Sequence, residues 1–155
     1  MKKWMWYSAA VLAVVLLGAG SSAGTDVGNL HPVQIVRLGR SGSQIAVWTD
    51  TGDWGTGLTL EAAVKSMQMA ATGEIFLETA DHLLLSADCL DLMEDAMCFL
   101  RPSCSLCLLD GEPDLGQVGA YFQIHIPQVT LMEYRAGMHQ LETLKITNGR
   151  MALVS

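Results

Sequence analysis

The chain has 155 residues, half of them hydrophobic and 16% charged, with a formal charge of −7. That length allows one small domain, and four cysteines are too few for a disulfide-dense scaffold. The acidic balance argues against nucleic acid as a partner, since such proteins gather Lys and Arg to neutralise phosphates.

Met1 to Ala23 reads as a signal peptide or membrane anchor. Lys2 and Lys3 supply positive charge, Trp4 to Gly20 is apolar except for Ser8, and Gly18-Ala19-Gly20-Ser21-Ser22-Ala23 is the small-residue end a signal peptidase accepts. A cut between Ala23 and Gly24 fits that pattern. Retention fits equally: at ~1.5 Å per residue the run just crosses a ~30 Å hydrocarbon core, with Trp4, Trp6 and Tyr7 suited to the interface. Both readings place the rest of the chain outside the cytoplasm, either secreted or at the outer face of the cell membrane. A lipid anchor at this end has no thiol to carry it, because the first cysteine is Cys89. Lys2 and Lys3 precede Ala23 and all sixteen acidic residues follow it, so residues 24–155 hold seven basic groups against sixteen acidic ones.

Residues 24–32 read as a linker and 33–155 as a single small α/β domain. Val33 to Leu38 and Gln44 to Thr49 are strand-like, and the Gly39 to Ser43 cluster between them predicts a hairpin. Asp50 to Gly57, with three glycines, reads as a loop. Thr59 is a candidate N-cap, and Leu60, Ala63, Val64, Met67 and Ala71 recur at helical spacing before a stop at Gly73. Glu74 to Leu77 and His82 to Ser86 suggest short strands. A second helix is expected from about Asp88 to Leu100, ended by Pro102. Ser105 to Leu109 is continuously apolar, as a buried strand is. Leu115 to Phe122 is ambiguous. Gln128 to Tyr134 and Gln140 to Thr147 read as strands, and Asn148-Gly149 turns the second into Arg150 to Val154. The expected fold is α/β or α+β: a mixed β-sheet with two main helices, preceded by the N-terminal signal or anchor helix.

No catalytic constellation emerges from the candidates. Cys104 and Cys107 have the spacing of a metal clip or redox pair, but positions three apart on a strand point to opposite faces. A zinc site needs a second pair, and Cys89 and Cys98 are nine apart. Buried structural thiols are the expected outcome, with one disulfide left open. His31, His82, His125 and His139 lack ligand spacing, and His125 between Ile124 and Ile126 suggests a strand face. Gly55-Thr56-Gly57 lacks the rest of a dinucleotide fingerprint, and Ser41, Ser43 and Ser66 lack a nucleophile elbow. Asp88 and Asp91 suit a helix start, while Met67, Met93 and Met97 suit core filling. Asp53 beside Trp54 leaves loop geometry or a small-molecule site lined by Trp48 and Trp54. The expectation is therefore no catalytic residue, cofactor or metal site.

Four stretches carry a family likeness: Leu58-Thr59-Leu60-Glu61-Ala62-Ala63, Ile75-Phe76-Leu77, His82 to Asp88, and Cys98-Phe99-Leu100-Arg101-Pro102. With Leu106 to Leu109 and Ile146 to Val154, they resemble the Ger(x)C family, C components of the nutrient germinant receptors of endospore-forming bacteria. Family members show an "lTleeAl" helix, a His-bearing strand, a helix closing in "fllR" and a late "vfkdgklvg" segment. The resemblance covers roughly residues 57–154 and implies a non-enzymatic subunit of a membrane receptor complex in spore germination. It departs from the family in lacking the lipid-bearing cysteine and in length, which implies a reduced relative.

The leading expectation is a non-catalytic exported protein, associated with the membrane through its N-terminal segment. Its protein partners would belong to a germination receptor or related envelope assembly. The alternative is a small secreted thiol protein or enzyme using Cys104 and Cys107.

Overall fold

The computed structural model describes residues 30–155. The signal or anchor over 1–23 and the linker over 24–29 lie outside the described residues. The last three residues of the expected linker are instead a strand, β1 (Leu30–Pro32), paired in parallel with β5 (Glu74–Phe76).

The main sheet has seven strands in the order β4-β3-β2-β6-β7-β8-β9. Its centre is parallel: β2 (Ile35–Ser41), β6 (His82–Ser86), β7 (Ser105–Asp110) and β8 (Thr143–Thr147). Antiparallel hairpins close each side, β2 with β3 (Gln44–Thr49) and β4 (Trp54–Gly57), and β8 with β9 (Arg150–Val154). The expected mixed sheet is thus present. Leu83, Leu84 and Leu85 of β6 are fully buried, because a central parallel strand has helices or loops over both faces.

One face packs against α1 (Leu60–Ala70), a 3-10 turn over Ala87–Leu92, α2 (Met93–Ala96) and α4 (Leu131–Arg135). Val36, Leu38, Val47, Leu83, Leu85 and Leu106 meet those helices in the larger core cluster. The opposite face carries α3 (Leu115–Phe122), whose Val118 and Phe122 pack on Ile35, Leu84, Cys107 and Leu144. Met67 and Met93 are buried and Met97 packs against the first core, so the methionines fill volume there.

Several expected boundaries are corrected. Asp50 to Gly57 is not all loop: Trp54–Gly57 pairs with β3. Gly55 and Gly57 face α1 so closely that a Cβ on either would collide with its backbone, which is why this strand carries glycine. The β2–β3 turn shrinks to Gly42-Ser43, with Gly42 at φ +62. Thr59 does cap α1, its hydroxyl accepting from the Ala62 amide at 3.2 Å, but the helix ends at Ala70, before Gly73. The second main helix is a 3-10 turn followed by only four α residues. Its tighter winding stacks side chains three apart, and so buries Cys89 together with Leu92.

Leu115 to Phe122 resolves as a helix because Asp114 caps it, accepting from the amides of Gly116 and Gln117. The strand expected over Gln128 to Tyr134 is instead α4. Thr130 and Glu133 form a reciprocal capping box there, which satisfies two orphan amides and starts a helix. The final hairpin holds as expected, with Asn148 at φ 52 and Gly149 at φ 74, the two positive values that a type I′ turn needs.

Candidate functional site

Side chains alternate across a strand, so Arg37, Trp48 and Trp54 point away from α1, on the face that carries α3. Among the described residues α3 packs on β6 to β8 and reaches Ile35 of β2, but does not extend to the β4-β3 side of this face. Trp54 stands there 59% exposed, directly opposite Trp48 in the strand register.

The open face is organised. Trp48 lies over Gly39, where a Cβ would come within 3.1 Å of the ring. The Arg37 guanidinium sits over the same ring, 4.6 Å from its centroid, a cation–π contact worth roughly 0.5–1 kcal/mol near a surface. Its two terminal nitrogens donate to both Glu112 oxygens at 2.9 and 3.0 Å. This fork holds the Glu112 carboxyl below the usual carboxylate range. Arg37 thus ties β2 to the loop entering α3 and fixes the plane of Trp48.

The adjoining turn is held by its own hydrogen bonds. Asp50 accepts from the amides of Gln34 and Ile35 at 3.1 and 3.2 Å. Asp53 accepts from the Thr51 hydroxyl at 2.7 Å, and its carboxylate lies 3.4 Å from His31 Nδ1. Asp53 therefore orders the turn leading to Trp54. Trp48 is half-buried and Trp54 59% exposed, side by side on the sheet surface.

The thiols are placed apart. Cys104 belongs to the first core cluster and Cys107 to the second, on opposite faces of the sheet as their spacing predicts. Burial pushes each up to about 12. Burial and the neighbouring Asp88 charge push buried Cys89 up to about 11. Cys98 is exposed, and all four cysteines are free. A nucleophilic or redox pair needs lowered pKa values and sulfurs within reach of one another. Cys104 and Cys107 have neither.

The histidines lie in four different settings. His125 is not on a strand but exposed in the turn after α3, its ring 4.5 Å from that of Tyr121. His139 stacks edge-on against Tyr134 at 4.7 Å. His82, at the amino end of β6, is half-buried, and its Nδ1 is 2.6 Å from the Ser105 hydroxyl at the start of β7. Burial pushes its pKa below the ordinary value. Sequence reasoning missed this pair, since two single residues on separate strands meet only through the parallel register His82↔Ser105.

Asp91 pairs with Arg40 at 2.6 Å and the Asp88 carbonyl accepts from the same guanidinium, so this acidic pair ties the 3-10 turn to β2. Ser41 ends β2, Ser43 is in its turn and Ser66 lies within α1. Among the described residues no group of three or more His, Cys, Asp or Glu side chains gathers as metal ligands, and no helix is long and apolar enough to cross a membrane. No family model, curated protein or solved structure matches the chain.

Proposed function

We propose that the chain is an exported, membrane-confined protein that works by binding a partner protein of the envelope through the open tryptophan face. The observation that carries this reading is Trp54, 59% exposed on a sheet surface whose neighbour Trp48 is locked beneath Arg37. Exposed aromatic side chains that lose little freedom on binding are the usual energetic anchors of interfaces. The cation of the face is already neutralised by Glu112, which suits it to burial against an apolar partner surface. Export, with membrane association where the segment is retained, is supported by the Lys2-Lys3 charge and the apolar run to Gly20. The resemblance to Ger(x)C proteins makes a germinant receptor of endospore-forming bacteria the first assembly to test.

The test is cross-linking and recovery of the full chain from fractionated cells of its source, alongside Trp54→Ala. Losing a central aromatic anchor costs about 2 kcal/mol, or roughly thirtyfold in affinity. The wild-type chain is expected in the membrane or extracellular fraction with a cross-linked protein, and the variant in the same fraction without it. Undiminished recovery of the partner by the variant would overturn the reading, as would finding the chain in the cytosol with its first 23 residues intact.

A further inference from the structure

A separate cleft of about 720 Å³ lies at the amino ends of β6 and β7, between α3 and the segment that leads into α4. We infer that this cleft is a binding site for a short, uncharged peptide, which it recognises through the peptide group and one apolar side chain.

The floor is His82 and Ser105, and Ser105 is 95% buried, with only 5% of its surface exposed. The Asp81 carbonyl already accepts the Ser105 amide at 2.8 Å and lies 3.3 Å from the Ser105 hydroxyl. Two proton arrangements are therefore open to the pair. The Ser105 hydroxyl can donate to His82 Nδ1, leaving the proton of the neutral imidazole on Nε2. Alternatively Nδ1–H donates to Ser105, which donates to Asp81, and Nε2 becomes an acceptor. Nε2 has no protein partner among the described residues, so the imidazole offers the cleft either a donor or an acceptor. A peptide group presents one of each.

The walls extend that complementarity. Gln34, Gln123 and Gln128 line the cleft, and none of their carboxamides makes a hydrogen bond among the described residues. Each carries a donor and an acceptor on one planar group, the complement of a peptide unit. Phe122, its ring 4.8 Å from that of His82, and Ile126, 63% exposed, give the apolar side. Formal charge is cancelled: Asp81 is paired with Arg101, and burial disfavours the cationic form of His82. A charged ligand would find no counter-ion here. One wall is held in place, since the 127–131 segment is bonded to β7 through Leu106 N to Val129 O at 2.7 Å and to the residue before that strand through Leu131 N to Cys104 O at 2.9 Å. The volume falls within the range of small-ligand sites.

The experiment is a titration of the isotope-labelled full chain in detergent, followed by amide chemical shifts. The probe is N-acetyl-leucine amide, with free leucine and N-acetylglucosamine as comparators. Saturable shifts are expected at His82, Ser105, Gln123 and Gln128 with the blocked amino acid, and weaker ones with both comparators. Gln123→Ala, on an exposed residue at the end of α3, is expected to weaken binding about threefold to tenfold while leaving the remaining spectrum intact. Ile126→Asp should weaken it at least as much. Unsaturable or scattered shifts, or an affinity untouched by both variants, would overturn the site. Equal or tighter binding of the zwitterion or the sugar would overturn the ligand class.

Discussion

Thiol reactivity separates the binding reading from the thiol-enzyme alternative, and its size can be worked out from the structure. An ordinary thiol near pKa 9 is about one-tenth ionised at pH 8, whereas Cys104 and Cys107, pushed up to about 12, are ionised to about one part in ten thousand. The thiolate is the reacting species, so ionisation alone slows each about a thousandfold, and burial slows them further. Cys89, pushed up to about 11, is slowed about a hundredfold by the same reasoning. A colorimetric disulfide reagent at pH 8 should therefore titrate one fast thiol in the native protein, the exposed Cys98, and four after denaturation. Cys98→Ser should remove the fast phase. The same shifts give stability a pH dependence. A thiol whose folded pKa is raised contributes stability that is fully present below its unfolded value and is lost as pH rises through the folded value. The fold is thus expected to weaken between about pH 9 and 12. Two fast native thiols that protect one another from the reagent would refute the placement of Cys104 and Cys107 on opposite faces.

Three further outcomes follow from the packing. Gly55→Val drives a side chain into the α1 backbone at Ala63 and Met67; it should cost about 3 kcal/mol or more by denaturant titration, against little for Gly42→Ala in the open turn beyond its positive-φ strain. Thr130→Ala removes the capping box of α4 and should cost about 1 kcal/mol in the same assay. His82, held neutral by burial, should titrate in a proton–nitrogen NMR series below its ordinary 6.5. A lowered histidine pKa gives stability that is present above the unfolded value and declines as pH falls through the folded one, so acid should loosen the β6–β7 end. A His82 titration at or above 6.5 would contradict its burial.

The parts of the fold legible in the sequence were those set by local rules. Ser105 to Leu109 read as a buried strand and His82 to Ser86 as a short strand because each is built around a short unbroken apolar run. Asn148-Gly149 read as a tight turn because few other pairs take two positive φ values. Two signals were present and outweighed. Thr130 and Glu133 spell a capping box, but alternation over Gln128 to Tyr134 pointed to a strand. Asp114 was a ready N-cap, but Gly116 and Gly119 spoke against a helix. Trp54–Gly57 was hidden for a different reason: its glycines signal a loop, and only the approach of α1 explains them as strand residues. The Trp48–Trp54 pairing and the His82–Ser105 contact depend on strand register, which no single stretch encodes.

The open face follows from this same division between local and long-range control. Gly55 and Gly57 let α1 settle directly onto β4, so the hairpin side of the sheet is fully covered on one face and buries Ile45, Val47 and Met67 there. On the other face, among the described residues, the helix α3 is capped by Asp114, just beyond the Glu112 that Arg37 holds, and ends at Phe122 over β6. The Arg37–Glu112 fork therefore does two things: it anchors the entry to α3 and clamps Trp48 at the border of the uncovered region. Trp48, clamped by Arg37, and Trp54, 59% exposed beside it, are the residues that a partner would cover under the proposed reading.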